Sequence, residues 1–155
     1  MRDISFGKLP PTAVVNSLYI TITVSTAIVI SFLASLKKYA DLFLKFDAIG
    51  LGVFTIIGST FAYNIFGLNF LAMSVSGLLT AIGGGILRDV FVNEIPMVFV
   101  KEFYASASFV GVVTLFTMLS INVNLSLATI VALITTTSIR LVAVKFNWNL
   151  PKARS

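Results

Sequence analysis

The stretch TAIGGGILRDV, residues 80–90, places three adjacent glycines and a charged pair inside an apolar run. Each glycine costs roughly 1 kcal/mol in a helix interior relative to alanine, and backbone groups freed from a helix have no partner in an apolar surrounding. We therefore expect Gly83, Gly84 and Gly85 to kink or break a helix where water or protein covers the backbone. The alternative is that these small residues let another helix approach closely.

The charged pair that ends this stretch also occurs at the start of the chain. RDISFGKLPP begins at Arg2 and RDVFVNEIPM begins at Arg88, 86 positions later, and each leads into a long apolar stretch. Asp3 corresponds in this way to Asp89. The repetition indicates an internal duplication.

The composition places most of the chain in lipid. The protein has 155 residues, of which 57% are hydrophobic and 11% charged, and its mean hydropathy is +1.01. A soluble domain of this size cannot bury so much apolar surface. We therefore expect an all-α integral membrane protein.

Enzymatic chemistry has few candidate residues. The chain contains no cysteine and no histidine, which removes thiolate nucleophiles, imidazole bases and the usual zinc or haem ligands, and it has only six carboxylates. We predict no enzyme and no cofactor. The net charge of +5 is typical of cytoplasmic loops that orient a membrane protein, so we predict no nucleic-acid partner.

Five apolar stretches are long enough to cross a bilayer, which takes about 20 residues in a helix. They are Thr12–Leu36, Phe46–Phe66, Leu68–Leu87, Met97–Ser120 and Val123–Phe146. The links NIFGLN and INVN carry no charge, and they predict tight hairpin turns.

The basic residues predict the orientation. Nine lie at one side of the predicted spans, against Arg2 and Lys8 at the other. The nine are Lys37, Lys38, Lys45, Arg88, Lys101, Arg140, Lys145, Lys152 and Arg154. The positive-inside rule then places the C-terminus in the cytoplasm.

Residues 37–46 carry Lys37, Lys38 and Lys45 opposite an apolar face. This pattern suits a short interfacial helix whose lysines meet anionic lipid headgroups. A plain linker with positive-inside lysines explains the same residues.

An odd number of spans, three, separates Arg2 from Arg88, so the two copies of the motif face opposite sides of the membrane. Inverted repeats of this kind build channels and transporters around one central site. The expected organisation is one transmembrane domain over residues 1–155. Its parts are the end of the first repeat at 1–36, the interfacial linker at 37–46, the second repeat at 47–120, the last helix at 121–146 and a cytoplasmic tail at 147–155.

Three charged residues near the span ends each have two interpretations. Arg88 and Asp89 form either an interfacial pair at the headgroups or a charged gate at the mouth of a pore. Arg140 lies inside the last predicted span, where an unpaired charge is costly. It either extends to the cytoplasmic surface or pairs with a carboxylate such as Asp89.

Three stretches together resemble the trimeric intracellular cation channel family, TRIC, in its prokaryotic form. They are FDAIGLGVFTIIGSTFA, TAIGGGILRDVFVNEIP and the aromatic stretch with EFYASASFVG. The resemblance covers about residues 47–146 well and residues 2–36 as the tail of a first repeat. It implies a 3+3+1 inverted-repeat bundle with a Gly-broken helix. In such a bundle, two further spans and a first glycine break would precede Arg2.

The resemblance implies a homotrimer in the plasma membrane of a prokaryote, with a pore for monovalent cations inside each protomer. Potassium is the expected permeant ion and sodium the second. Carried over from the family, the pore and gating positions are Gly83, Gly84, Gly85, Arg88, Asp89, Thr80, Asp47, Arg2 and Asp3. For Asp47 an N-cap, which would satisfy free helix amides, is an equal alternative.

Two other functions remain open. Broken helices in inverted repeats also suit a secondary transporter of a small zwitterion such as glycine, and some TRIC relatives are described as glycine transporters. A structural subunit that takes its missing helices from a partner is the third. Coupled carriers usually hold an ionisable group near the membrane midplane, and no Asp, Glu or His lies in the middle of a span. This absence favours the channel.

Overall fold

The computed structural model describes residues 17–34, 40–91, 95–100 and 103–146, together with Gly7, Pro10 and Asn93. Every regular element within these residues is a helix. In chain order the helices are α1 (Ser17–Ala34), α2 (Ala40–Phe66), α3 (Phe70–Phe91), α4 (Met97–Val100), α5 (Phe103–Ser120) and α6 (Leu125–Lys145). The prediction of an all-α protein is confirmed.

The chain divides into two compact units, Met1–Lys45 and Phe46–Ser155. The first contains α1, in which three hydroxyl groups bond to the backbone of the same helix. Thr21 Oγ1 donates to the carbonyl of Ser17 at 2.9 Å, and Thr26 Oγ1 donates to the carbonyl of Ile22 at 2.7 Å. Such bonds satisfy polar side chains without a partner helix.

Four helices in the described part of the chain are long and apolar enough to cross a membrane. Their spans are Leu44–Phe66, Phe70–Phe91, Phe103–Ser120 and Leu125–Lys145. Large apolar side chains on these helices point outward, among them Phe54 at 51% and Leu71 at 72% exposure, as a lipid-facing surface requires. Helix α1 lies inside the first predicted span; the ends of that span fall outside the described residues.

Both predicted hairpin turns are present. Gly67 ends the α2 side of the first turn with φ +65°, and Asn122 ends the α5 side of the second with φ +60°. Glycine and asparagine are the residues that adopt this left-handed conformation most readily after a helix. The equivalent position in each turn is therefore filled by a residue that can reverse the chain.

An asparagine two positions later starts the next helix in each turn. The amide of Ala72 donates to Asn69 Oδ1 at 3.0 Å, and the amide of Ser126 donates to Asn124 Oδ1 at 2.9 Å. Both asparagines cap free amides at a helix N-terminus. The two uncharged links thus use the same pair of devices, a left-handed residue followed by an N-cap.

The second turn has the full Schellman hydrogen-bond pattern at the end of α5. The amide of Val123 donates to the carbonyl of Met118, and the amide of Asn122 donates to that of Leu119, both at 3.0 Å. These bonds satisfy carbonyls that the end of a helix leaves free.

Glycines at helix crossings allow the helices of the second unit to pack closely. An ideal Cβ at Gly52 of α2 would lie 2.5 Å from Thr137 Oγ1 of α6, and one at Gly58 would lie 2.5 Å from the carbonyl oxygen of Ser76 on α3. Small residues at such crossings are typical of membrane bundles, where helix association depends on close packing.

The main apolar core of this unit lies between α2, α3, α5 and α6. It consists of Ile56, Ala62, Met73, Val112, Leu115, Leu119, Ala128 and Ala132. At its edge the Phe70 ring meets those of Phe109 and Phe116 edge-on, with centroid separations of 6.1 and 5.1 Å. This packing holds the start of α3 against α5.

Two predicted boundaries differ from the structure. Helix α2 begins at Ala40, so it includes the end of the stretch 37–46 that we expected to be an interfacial linker. The predicted span Met97–Ser120 contains the short helix α4 and the longer α5. Residues 101 and 102, between them, lie outside the described part of the chain.

Candidate functional site

Helix α2 turns a line of polar side chains toward the interior of the second unit. Asp47, Leu51, Thr55 and Ser59 are spaced four residues apart and therefore share one helix face. Leu51 is 1% exposed and the two hydroxyl residues are fully buried. The interior face of this span carries a carboxylate and two hydroxyls.

Asp47 contacts one residue from each of two other helices. Tyr104 on α5 donates its hydroxyl to Asp47 Oδ1 at 3.2 Å. On α6, Arg140 Nη2 lies 4.0 Å from Asp47 Oδ2, and its Cζ lies 4.7 Å from the centroid of the Tyr104 ring. We call Asp47, Tyr104 and Arg140 the polar triad.

The Arg140 guanidinium of the triad is buried, and few polar groups compensate for its loss of water. Arg140 is only 2% exposed. Among the residues that the structure describes, neither its Nε nor its Nη2 has a hydrogen-bond partner. A buried ion costs several kcal/mol unless a well-formed partner offsets the loss of water, and 4.0 Å is the outer limit for an ion pair. The triad is therefore costly to maintain, which is typical of functional groups inside membrane spans.

The glycine segment borders this triad. An ideal Cβ at Gly85 would lie 3.5 Å from the Tyr104 hydroxyl oxygen, whereas one at Gly84 would meet nothing within 4 Å. Asp89, one turn further along α3, is 4% exposed. The segment thus turns one side toward the polar triad and the other toward open space.

The glycines do not interrupt the helix, which corrects the predicted break. Helix α3 is continuous from Phe70 to Phe91 and includes Gly83, Gly84 and Gly85. The physical reason is that an intact helix keeps each backbone carbonyl bonded within the span, whereas lipid offers no partner to a free one. The segment is helical but intrinsically weak, because glycine is a poor helix former.

Hydroxyls join the helices below the triad. Thr55 and Ser108 share a hydrogen bond of 2.7 Å between α2 and α5. Ser59 donates to the carbonyl of Met73 at 3.1 Å, and Ser76 donates to that of Gly58 at 2.7 Å, so α2 and α3 are bonded twice. These interhelical bonds satisfy buried hydroxyls and fix the register of the bundle.

The structure describes only some of the other predicted site residues. Thr80 is half-buried and donates to the carbonyl of Ser76 at 2.7 Å. Arg88 belongs to α3 and Lys45 is exposed on α2. The side chain of Arg88 lies outside the described set, as do Arg2, Asp3, Lys37 and Lys38 entirely.

The structure bears on the two interpretations that the sequence leaves open for Asp47 and for Arg140. Asp47 lies two turns inside α2, which starts at Ala40, so it does not cap that helix. Arg140 is buried beside a carboxylate, as one of its two interpretations required, and the carboxylate is that of Asp47.

Sequence reasoning missed Tyr104 as a site residue. The signal was present, because Ala107, Ser108 and Gly111 follow it three, four and seven positions later and mark the buried face of α5. An aromatic hydroxyl on that face requires a polar partner. Among the described residues, no group of three or more His, Cys, Asp or Glu side chains is placed to hold a metal ion.

Comparisons with known proteins agree with this architecture. A family model described as Glycine transporter matches residues 44–120. The UPF0126 inner membrane protein YadS of Escherichia coli is 38% identical over 106 residues, which covers 68% of this chain and 51% of YadS. The chain spans about half the length of the curated relatives it matches.

Solved structures extend the likeness to nearly the whole chain. One is a structure that describes the structural basis for conductance through TRIC cation channels. It aligns with a TM-score of 0.88 and 31% sequence identity, and the alignment covers 99% of this chain and 76% of that one. A prokaryotic TRIC channel in 0.5 M KCl has a TM-score of 0.84 and 30% identity, over 96% and 76%.

The fold and the site together indicate a general class of protein. A bundle of membrane-crossing helices whose interior holds an ion pair, hydroxyls and a glycine segment is a multi-pass membrane protein with the architecture of channels and transporters. Within that class, the chain belongs to the TRIC cation-channel family.

Proposed function

We propose that this protein is a potassium-permeable channel for monovalent cations, with sodium as a second permeant ion. The observation that carries the proposal is the likeness to TRIC cation channels, which extends over 99% of the chain. A passive channel of this kind needs no cofactor and catalyses no reaction. By analogy with the family, it works as a homotrimer with one pathway inside each protomer.

The polar interior supports a pathway along the glycine segment. In this proposal Gly83, Gly84, Gly85, Thr80, Asp89 and Asp47 line or border the pathway, with Arg88 at its cytoplasmic mouth and Arg2 and Asp3 as the counterparts from the first repeat. The polar triad supports it, because charged groups inside a span mark ion pathways in membrane proteins. Gly84 adds no side chain at this place, so an ion could approach the helix closely beside the triad.

The membrane context of the proposal is the plasma membrane of a prokaryote. In this proposal the C-terminus lies in the cytoplasm, an orientation that the nine basic residues on one side of the predicted spans favour. Lys37, Lys38 and Lys45 are then at the cytoplasmic interface, where anionic headgroups attract them.

The test is single-channel recording of the purified protein in planar bilayers with a potassium chloride gradient. We expect discrete current steps that reverse near the potassium equilibrium potential. Steps that reverse near the chloride potential, or a protein that integrates into the bilayer without steps, would refute the channel.

The second candidate is a carrier for glycine, which the description of the matching family model favours. Proteoliposomes separate the two functions. A carrier accumulates labelled glycine in a saturable manner and gives no single-channel steps, whereas a channel gives potassium steps and leaves glycine outside. If the protein does neither alone, the structural-subunit interpretation gains support.

A further inference from the structure

We propose that the connection between α3 and α5 binds the membrane surface. Three large apolar side chains, those of Phe91, Ile95 and Phe99, insert between lipids where the headgroups meet the acyl chains. We call these three residues the lipid anchor. The leaflet that they enter is the one at which α3 ends and α5 begins. The lipid anchor has this role in a channel and in a carrier alike, so it does not depend on the proposed function.

The lipid anchor is highly exposed on the protein. Phe91 is 85% exposed, and Ile95 and Phe99 are each 73% exposed. The three residues follow one another at intervals of four positions, and Glu94 is the only charged residue in the stretch 90–100. Exposed apolar side chains concentrated in one short segment mark a site of interaction with a protein or a membrane.

The position of the connection favours a membrane. Phe91 is the last residue of one membrane-crossing helix and Phe103 is the first residue of the next, so the connection lies at the level where two spans end. Helix α4, with four residues, is about 6 Å long and too short to cross a bilayer. An apolar segment at this level meets the boundary between headgroups and acyl chains.

The lipid anchor also continues the outer surface of α3. Leu87 lies four positions before Phe91, so the two side chains share one helix face, and Leu87 is 39% exposed. Beyond Phe91, Asn93 adopts a left-handed conformation with φ 58°, and its amide donates to the carbonyl of Val90 at 3.1 Å. This turn keeps the connection beside the end of α3. The lipids that surround the exposed face of α3 are therefore the occupant that we infer.

Contacts on its other side hold α4 against the bundle. Val98 packs against a buried cluster that includes Tyr104 of the polar triad, and α4 contacts both α3 and α5. The neighbouring Phe99 is largely exposed, although its amide is bonded to the carbonyl of Pro96 at 2.9 Å. One side of α4 thus faces protein and the other is apolar and exposed, as in helices that lie in a membrane interface.

The test is the fluorescence of Phe99→Trp in proteoliposomes that contain brominated lipids, because bromine quenches tryptophan on contact. All variants carry Trp148→Phe, which removes the single tryptophan of the chain. We expect Phe99→Trp to lose more emission to lipids brominated near the headgroup than to lipids brominated near the end of the acyl chain. We also expect iodide in the water to quench it weakly.

Phe54→Trp is the matched control. Phe54 is 51% exposed and lies ten residues after the start of its span at Leu44, which is about 15 Å along the helix. Its side chain therefore meets lipid near the middle of the bilayer. The order of quenching should be reversed in this variant, with the greater loss from bromine near the end of the acyl chain.

Three results would overturn the lipid anchor. Strong quenching of Phe99→Trp by iodide with none by brominated lipid would place α4 in water. Quenching by neither agent would mean that protein, such as a second copy of the chain, covers this surface. A depth profile equal to that of Phe54→Trp would make α4 part of a span. If Phe99→Trp does not fold, Ile95→Trp decides by the same measurements.

Discussion

Gly111 of α5 is the point where one added methyl group should destabilise the bundle most clearly. An ideal Cβ at this glycine would overlap Thr136 Oγ1 of α6 and lie 3.2 Å from Thr136 Cβ and 3.6 Å from its Cγ2. Thr136 is fully buried, and its hydroxyl is held by a 2.8 Å bond to the carbonyl of Ala132. The threonine cannot rotate away without losing that bond or displacing its own neighbours.

The expected cost of Gly111→Ala combines three effects. Overpacking a tight core costs about 1–3 kcal/mol, and loss of the threonine hydrogen bond adds about 1 kcal/mol. Alanine returns about 1 kcal/mol because it is the better helix former. The net destabilisation is about 2 kcal/mol, which lowers the melting temperature of a chain of this size by about 4–8 °C.

The assay is thermal unfolding of the detergent-solubilised protein, followed by the loss of its monodisperse peak on gel filtration. Gly84→Ala is the matched control, because nothing lies within 4 Å of its ideal Cβ and α3 is helical there. This control should raise the melting temperature by about 2–4 °C through helix propensity alone. The same substitution thus has opposite signs at the two glycines.

A second background identifies the cause. In a Thr136→Ala chain the hydroxyl and the Cγ2 atom are absent, so Gly111→Ala should cost less than about 0.5 kcal/mol there. If it costs as much in that background as in the unmodified chain, contact with Thr136 is not the reason. If Gly111→Ala has no effect at all, α5 and α6 do not cross at this glycine.

Three further predictions concern a helix cap, an interhelical hydrogen bond and the orientation of the C-terminus. Asn124→Ala should lower stability by about 0.5–2 kcal/mol and Asn124→Ser by much less, because serine restores the cap; a melting temperature equal for both variants would contradict the cap. Thr55→Val and Ser108→Ala should show a coupling of about 0.6–1.7 kcal/mol in a double-mutant cycle, as interhelical bonds in membranes do; zero coupling would contradict the bond. Alkaline phosphatase fused to the C-terminus should be inactive and green fluorescent protein fluorescent, because the positive-inside rule predicts a cytoplasmic C-terminus; the reverse pattern would contradict that prediction.

The spans and turns were predictable because their signals are local. An apolar run of fixed length reports a span, and the uncharged links report hairpins. The structure confirms both turns. In each, a residue in the left-handed conformation, Gly67 or Asn122, is followed two positions later by an asparagine that caps the next helix. Short-range chemistry of this kind needs no knowledge of the rest of the fold.

The state of the glycine segment was not predictable in the same way. Propensity favours a break at Gly83, Gly84 and Gly85, and the structure has a continuous helix there. Propensity is a preference of about 1 kcal/mol per residue, whereas an unsatisfied backbone group in lipid costs several kcal/mol. The cost of free backbone groups exceeds the helix penalty of glycine, so the helix persists. The predicted break is therefore wrong, and the kink that the sequence also predicts at these glycines stays a prediction.

The partner of Arg140 is far from it in the sequence. The depth of each charged residue within its span could nevertheless have narrowed the choice of carboxylate. Arg140 lies five residues before the end of its span at Lys145, and Asp47 lies three residues after the start of its span at Leu44. At about 1.5 Å per residue they are about 8 and 5 Å inside the same end of the bundle. Asp89, two residues from Phe91, is only about 3 Å inside. Depth therefore ranks Asp47 above Asp89 as the partner for a charge held that far from water, and the two tight hairpins bring the start of α2 and the end of α6 to the same side. What depth cannot supply is the angular position of each residue around its helix. The structure supplies it, because Tyr104 on the buried face of α5 contacts both Asp47 and Arg140.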